Sequence, residues 1–102
     1  MNMYNPPHPG EFIKEVYLES LDISYRKIAE MLNVAPSTFN RLINGQSSIS
    51  SEMALRLSKT LGRSPESWLN MQNKYNLWHA KKRINLEKVE KLNIDRNRKQ
   101  YA

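Results

Sequence analysis

The sequence predicts an all-α domain of five helices, and three observations carry that prediction. Apolar residues recur at helical spacing, as in Tyr25, Ile28, Ala29 and Leu32 at i, i+3, i+4 and i+7. Cap residues punctuate the pattern: Ser24, Ser50 and Ser64 can accept from free N–H groups, and Pro36 and Pro65 stand where a missing N–H costs nothing. No alternation of period two is sustained over the first 80 residues.

The elements follow in order. A first helix from about Pro9 to Ser20 buries Phe12, Ile13, Val16 and Tyr17, with His8 as its entry residue. A second is capped by Ser24, with Ile23 and Ile28 as a hydrophobic staple, and ends at Asn33, a residue that tolerates the left-handed conformation of a sharp turn. A third starts at Pro36, is stapled by Val34 and Phe39, and ends near Asn44-Gly45. A fourth, capped by Ser50, buries Met53, Ala54, Leu57 and Leu61 and stops at Gly62. A fifth, capped by Ser64, buries Trp68, Leu69, Tyr75 and either Met71 or Gln72, and runs on through Trp78 to about Lys82. This divides the chain into an arm over 1–8, a domain over 9–82 and a C-terminal extension with a basic tail over 83–102. In the extension Ile84, Leu86, Val89, Leu92 and Ile94 fit neither period well, so a further helix and a short strand both stay open.

The turn over Asn33 to Ala35 is short enough to force the second and third helices to cross at roughly 90–120°. Such a crossing admits only a small residue at the contact, which Ala29 supplies, and it fixes the outward residues of the third helix. These are Ser37, Thr38 and Arg41, with Asn40 and Asn44 to the side, and the stretch from Asn33 to Ser48 contains no acid. A solvated face usually mixes Glu and Lys, which favour helix; Ser, Thr and Asn cost helix stability, so another demand selects them. Major-groove base edges are such a demand, because short polar side chains and arginine match their donors and acceptors. Ser37, Thr38 and Arg41 are therefore the candidate base-reading residues. Ser24, Arg26, Lys27, Asn40, Asn44, Gln46, Ser47 and Ser48 are candidates for the DNA backbone and the flanks. Ala35 occupies the cap position without a capping side chain, leaving the N–H groups of Ser37 and Thr38 to a phosphate or to water.

Composition agrees with a polyanionic partner. The 102 residues carry a net charge of +6, and residues 74–102 hold nine Lys/Arg against three Asp/Glu. The absence of cysteine excludes disulfides and thiolate metal sites. His8 and His79 have no carboxylate at ligand spacing, so neither metal nor cofactor is expected. No glycine-rich phosphate loop, HExxH or GxSxG occurs, and catalysis is not expected. The start "MNMYNPPHPGEF" lacks the basic and apolar regions of a signal peptide, and no apolar run approaches the roughly 20 residues a membrane span needs. A cytoplasmic protein with no membrane association is the expectation. Trp68 and Trp78 are expected in the core, while Lys81, Lys82, Arg83, Arg96, Arg98 and Lys99 could track phosphates or simply face water. Ile84, Leu86, Val89 and Leu92 could dock on the first helix, but are taken as candidates for a twofold dimer interface.

The segment "YRKIAEMLNVAPSTFNRLINGQ" resembles the helix-turn-helix of phage-repressor-type transcription regulators. More narrowly, "HPGEFIKE", "VAPSTFNRLINGQSSIS", "EMALRLSKTLGRSPESWLNMQ" and "YNLWHAKK" resemble the HigA-type antitoxins, over about residues 8–82. The resemblance implies a five-helix, phage-repressor-like DNA-binding domain, a homodimer and repression of its own operon; two subunits would set two recognition helices about one DNA turn apart, so palindromic double-stranded operator DNA is the expected partner. It also implies neutralisation of a cognate HigB-like toxin, a RelE-like ribosome-dependent mRNA-cleaving protein. Ser37, Thr38 and Arg41 fall where this superfamily reads bases. Where the family often has proline and glycine between the first two helices, this chain has "ESLDIS". A stand-alone dimeric repressor without a toxin partner, and a protein-interaction adaptor on the same scaffold, are the rival readings.

Overall fold

The structure, a computed structural model, describes residues 5–93. The first four residues of the arm, and residues 94–102 with Ile94, Arg96, Arg98 and Lys99, lie outside the described residues. Helix α1 (Pro9–Ile13) runs directly into a π-helical segment (Lys14–Glu19), and α2 (Tyr25–Leu32), α3 (Pro36–Ile43), α4 (Ser51–Leu61) and α5 (Pro65–Arg83) follow. Among the described residues there is no strand.

The starts of α1, α2, α4 and α5 are each made by a side chain whose chemistry suits it. The hydroxyls of Ser24, Ser50 and Ser64 accept from the N–H groups of Lys27, Met53 and Ser67 at 3.1, 3.1 and 3.0 Å. His8 opens α1 by accepting the Gly10 N–H on Nδ1 at 2.8 Å. Asn33 ends α2 with φ 60° and ψ 47°, and the Asn33 and Val34 N–H groups return to the Glu30 and Ala29 carbonyls, each at 3.0 Å. That paired return is a Schellman turn, and it throws α3 across α2. Asp22 takes the same left-handed region, φ 55°, before α2, doing what a glycine would do there.

The core is one cluster of Ile13, Ile28, Ala29, Leu32, Phe39, Leu42, Ile43, Ile49, Ala54, Leu57 and Trp68. Both staples join it, through Ile23 with Ile28 and Val34 with Phe39. Gln72 rather than Met71 is the buried residue of its turn. Its Oε1 accepts the Ile49 N–H at 2.8 Å and its Nε2 donates to Asn76 at 3.1 Å, so burying the amide leaves neither end unpaired.

Three expectations are corrected. Val16 is 41% exposed instead of buried, because the wider π turn carries the inward stripe from Ile13 to Tyr17 and Leu18. Trp78 is half-buried and outside the core cluster, with the Lys82 ammonium 5.0 Å from its ring centre. Beyond Arg83 the extension forms neither a helix nor a strand over residues 84–93. Its one turn is closed by the Val89 N–H on the Leu86 carbonyl at 3.0 Å, with Asn85 Oδ1 accepting the Glu87 N–H at 2.9 Å. Its apolar side chains have neither helical nor strand spacing, and Ile84, Leu86, Val89 and Leu92 each stay more than half exposed.

Candidate nucleic-acid interface

The site is built on α3. Phe39, Leu42 and Ile43 face the core, so a 100° step per residue turns Ser37, Arg41 and Asn44 to the opposite side. All three are exposed, while Thr38 and Asn40 are half-buried on the two flanks. No acidic residue stands in the first turn, and Arg41 lies in the last turn, where it complements the negative helix end.

Ala35 makes no side-chain cap to α3. The N–H groups of Ser37 and Thr38 therefore have no partner among the described residues and point out from the positive helix end.

Three other elements hold α3 in place. Buried Gly10 of α1 packs against the backbone of Leu42 and Ile43. Arg56 of α4 donates from Nη1 to the Leu32 and Asn33 carbonyls at 2.8 and 3.1 Å, and from Nη2 to Glu52 at 3.1 Å. It thereby clamps the turn between α2 and α3. After α3, the Gly45 and Gln46 N–H groups return to the Leu42 and Arg41 carbonyls at 3.0 and 2.8 Å, with Gly45 at φ 76°. Gln46 and Ser48 are exposed in that loop and Ser47 is half-buried, and Gln72 anchors its far end at Ile49.

His8 packs under the same loop. Gly45 faces its ring, and Tyr75 meets it edge-on with ring centres 4.9 Å apart. Burial pushes the imidazole below its ordinary value, partly offset by hydrogen bonding to the Ser47 backbone and by the Glu11 charge. By accepting the Gly10 N–H on Nδ1, His8 serves as the entry residue of α1.

At the start of α2, Ser24, Arg26 and Lys27 are all exposed. The Ser24 hydroxyl accepts the Lys27 N–H and keeps its own proton to donate. The Arg26 guanidinium lies 5.3 Å from the Tyr25 ring centre. Lys27 sits 3.8 Å from Glu30, a surface pair of exposed ends worth little.

Two residues that position this face escaped the sequence reading. Arg56 has a visible sequence partner, Glu52 four residues earlier, but its bonds to the turn span 23 and 24 residues. Lys14 stands among glutamates, yet its ammonium donates to Asn44 Oδ1 at 3.3 Å at the end of α3. Ile84, Leu86, Val89 and Leu92 are each at least half exposed, as is Leu77 on α5.

Known proteins share this arrangement. The family profile described as Helix-turn-helix matches residues 13–68. The HTH-type transcriptional regulator YddM of Escherichia coli K12, itself uncharacterised, is 40% identical over 92 residues, covering 90% of this chain and 97% of that protein. Antitoxin HigA-1 of Vibrio cholerae is 35% identical over 82 residues, covering 80% and 77%. Among solved structures, Pseudomonas aeruginosa antitoxin HigA with the higBA promoter superposes with a TM-score of 0.70 at 33% identity, covering 93% of this chain and 89% of that one. Docked at a left-handed asparagine turn and matched by these relatives, the chain belongs to the helix-turn-helix family of transcriptional regulators, among its HigA-type antitoxins.

Proposed function

We propose that this chain binds palindromic operator DNA as a homodimer, represses its own operon and neutralises a HigB-like, mRNA-cleaving toxin. The observation that carries the DNA-binding part is the acid-free outward face of α3. Arg41 there can pair bidentately with guanine O6 and N7, Thr38 offers a methyl to thymine, and Ser37 can donate or accept. Asn40 flanks that face and Asn44 shares it, within reach of neighbouring bases, while Ser24, Arg26, Lys27, Gln46, Ser47 and Ser48 supply backbone contacts. The unpartnered N–H groups at the start of α3 suit a phosphate oxygen. Two copies would set their α3 helices about 34 Å apart, one DNA turn, which is why the operator should be palindromic.

For the twofold contact the chain offers Ile84, Leu86, Val89 and Leu92, beside Leu77. Exposed apolar side chains in such number are what a second copy would cover. The toxin partner is supported by the 35% identity to antitoxin HigA-1. A stand-alone repressor is the second reading, favoured by the likeness to YddM, which is named as a regulator alone.

The test is a titration with the DNA upstream of the gene and with random DNA over a salt series. Affinity should fall steeply as salt rises, and Arg41→Ala should cost about 1–3 kcal/mol on the operator while relaxing choice at one base pair. A flat salt response would favour the adaptor reading, and equal weakening on both DNAs would reduce Arg41 to a phosphate contact. Co-expression with the neighbouring gene decides between antitoxin and stand-alone repressor: rescue of growth arrest and a copurifying complex are expected of the antitoxin.

A further inference from the structure

We propose that Lys14 sets the base preference of Asn40 by fixing which way two amides point; the proposal rests on the DNA-binding reading above. Lys14 is the only Lys or Arg among the first 25 residues. Among the described residues it forms no ion pair with Glu11, Glu15 or Glu19, and its ammonium donates to Asn44 Oδ1 at 3.3 Å. Asn44 Nδ2 in turn donates to Asn40 Oδ1 at 3.3 Å, one helical turn back.

The polarity of this chain follows from the first link. An ammonium can only donate, so the end of Asn44 that faces it must be the oxygen. The Asn44 NH2 then faces Asn40, and the end of Asn40 that receives it must again be the oxygen. The end of Asn40 left wholly free is its NH2, a donor, on the flank of α3, while its oxygen keeps one lone pair beside the Asn44 bond. A lone asparagine presents either end and pairs bidentately with adenine through both. With its oxygen occupied by the Asn44 NH2, Asn40 favours bases that offer an acceptor in the major groove, guanine, thymine or adenine through N7, over cytosine, which offers only a donor there. Lys14 is thus a positioning residue, acting from the first turn of the π-helical segment on a side chain it does not touch.

Selection from a randomised duplex pool by the full chain tests this, with Asn40→Ala marking the base pair that Asn40 faces. Wild type should enrich guanine or thymine over cytosine there by roughly tenfold, and Lys14→Met should cut that preference to about twofold. Preferences at other positions and the salt slope should stay as they were. Lys14→Arg, another pure donor, should restore wild-type preference. Asn44→Asp removes the donor to Asn40 and supplies an acceptor, so Asn40 should turn over and favour cytosine or adenine. Unchanged preference in Lys14→Met, or in Asn44→Asp should Lys14→Met fail to fold, overturns the proposal. So does a uniform loss of affinity with a salt slope shallower by about 0.9, which would make Lys14 a phosphate contact. A wild-type protein that enriches no sequence at all overturns the DNA-binding reading itself.

Discussion

Replacing Trp68 by alanine is expected to remove about 3–5 kcal/mol of folding stability. For a domain of this size that lowers the melting temperature by more than 10 °C. Trp68 is fully buried and stands where α5 meets α1. Its ring lies 6.0 Å from the Phe12 ring centre in an edge arrangement and 6.4 Å from that of Tyr17, and the Arg63 guanidinium is 5.7 Å from it. Its indole N–H donates to the Gly62 carbonyl at 2.9 Å, so it also closes the turn between α4 and α5. Truncation opens a cavity, releases the Phe12 and Tyr17 packing and leaves a carbonyl without its donor. Thermal melting followed by circular dichroism measures the loss. A change below about 1 kcal/mol would mean that Trp68 is not the keystone of the α1–α5 contact.

Gly10→Ala is expected to cost about 3 kcal/mol, although it adds a single methyl group to an exposed-looking "PPHPGE" stretch. A Cβ on Gly10 would lie 2.7 Å from Ile43 Cα and 2.8 Å from the Leu42 carbonyl carbon, and closer still to the Leu42 oxygen. These are backbone atoms and cannot rotate aside. α1 must then lift away from the end of α3, the helix whose outward face is proposed to meet DNA. The expected outcome is therefore double: a lower melting temperature and weaker operator binding by the folded fraction. Normal melting with normal binding would show that α1 and α3 tolerate a wider spacing than the packing here allows.

The sequence made local features legible and hid the distant ones. The turn at Asn33, the serine caps, the prolines at first helical positions and the outward placing of Ser37 and Arg41 each follow from the conformational physics of a few neighbouring residues, whereas Thr38 lies on the flank and Asn44 outward, the reverse of the sequence expectation. Val16 was misplaced because the apolar spacing of the first helix looks α-helical, and nothing local marks a π turn. Arg56 and Lys14 escaped notice for a different reason. Each reaches a segment more than 20 residues away, and each sits beside acids that offer a simpler partner on paper. The extension is the reverse case: the sequence leaves a helix and a short strand open over Ile84, Leu86, Val89 and Leu92, and residues 84–93 form neither, because their spacing commits them to no single face.

Methylation interference at guanine N7 tests the central claim most directly, because that atom lies in the major groove where α3 is proposed to dock. Methylating one guanine in each half-site should block the wild-type protein and leave the residual binding of Arg41→Ala unaffected. If N7 methylation left binding intact while methylation at adenine N3 in the minor groove blocked it, α3 would not be the element that reads the operator.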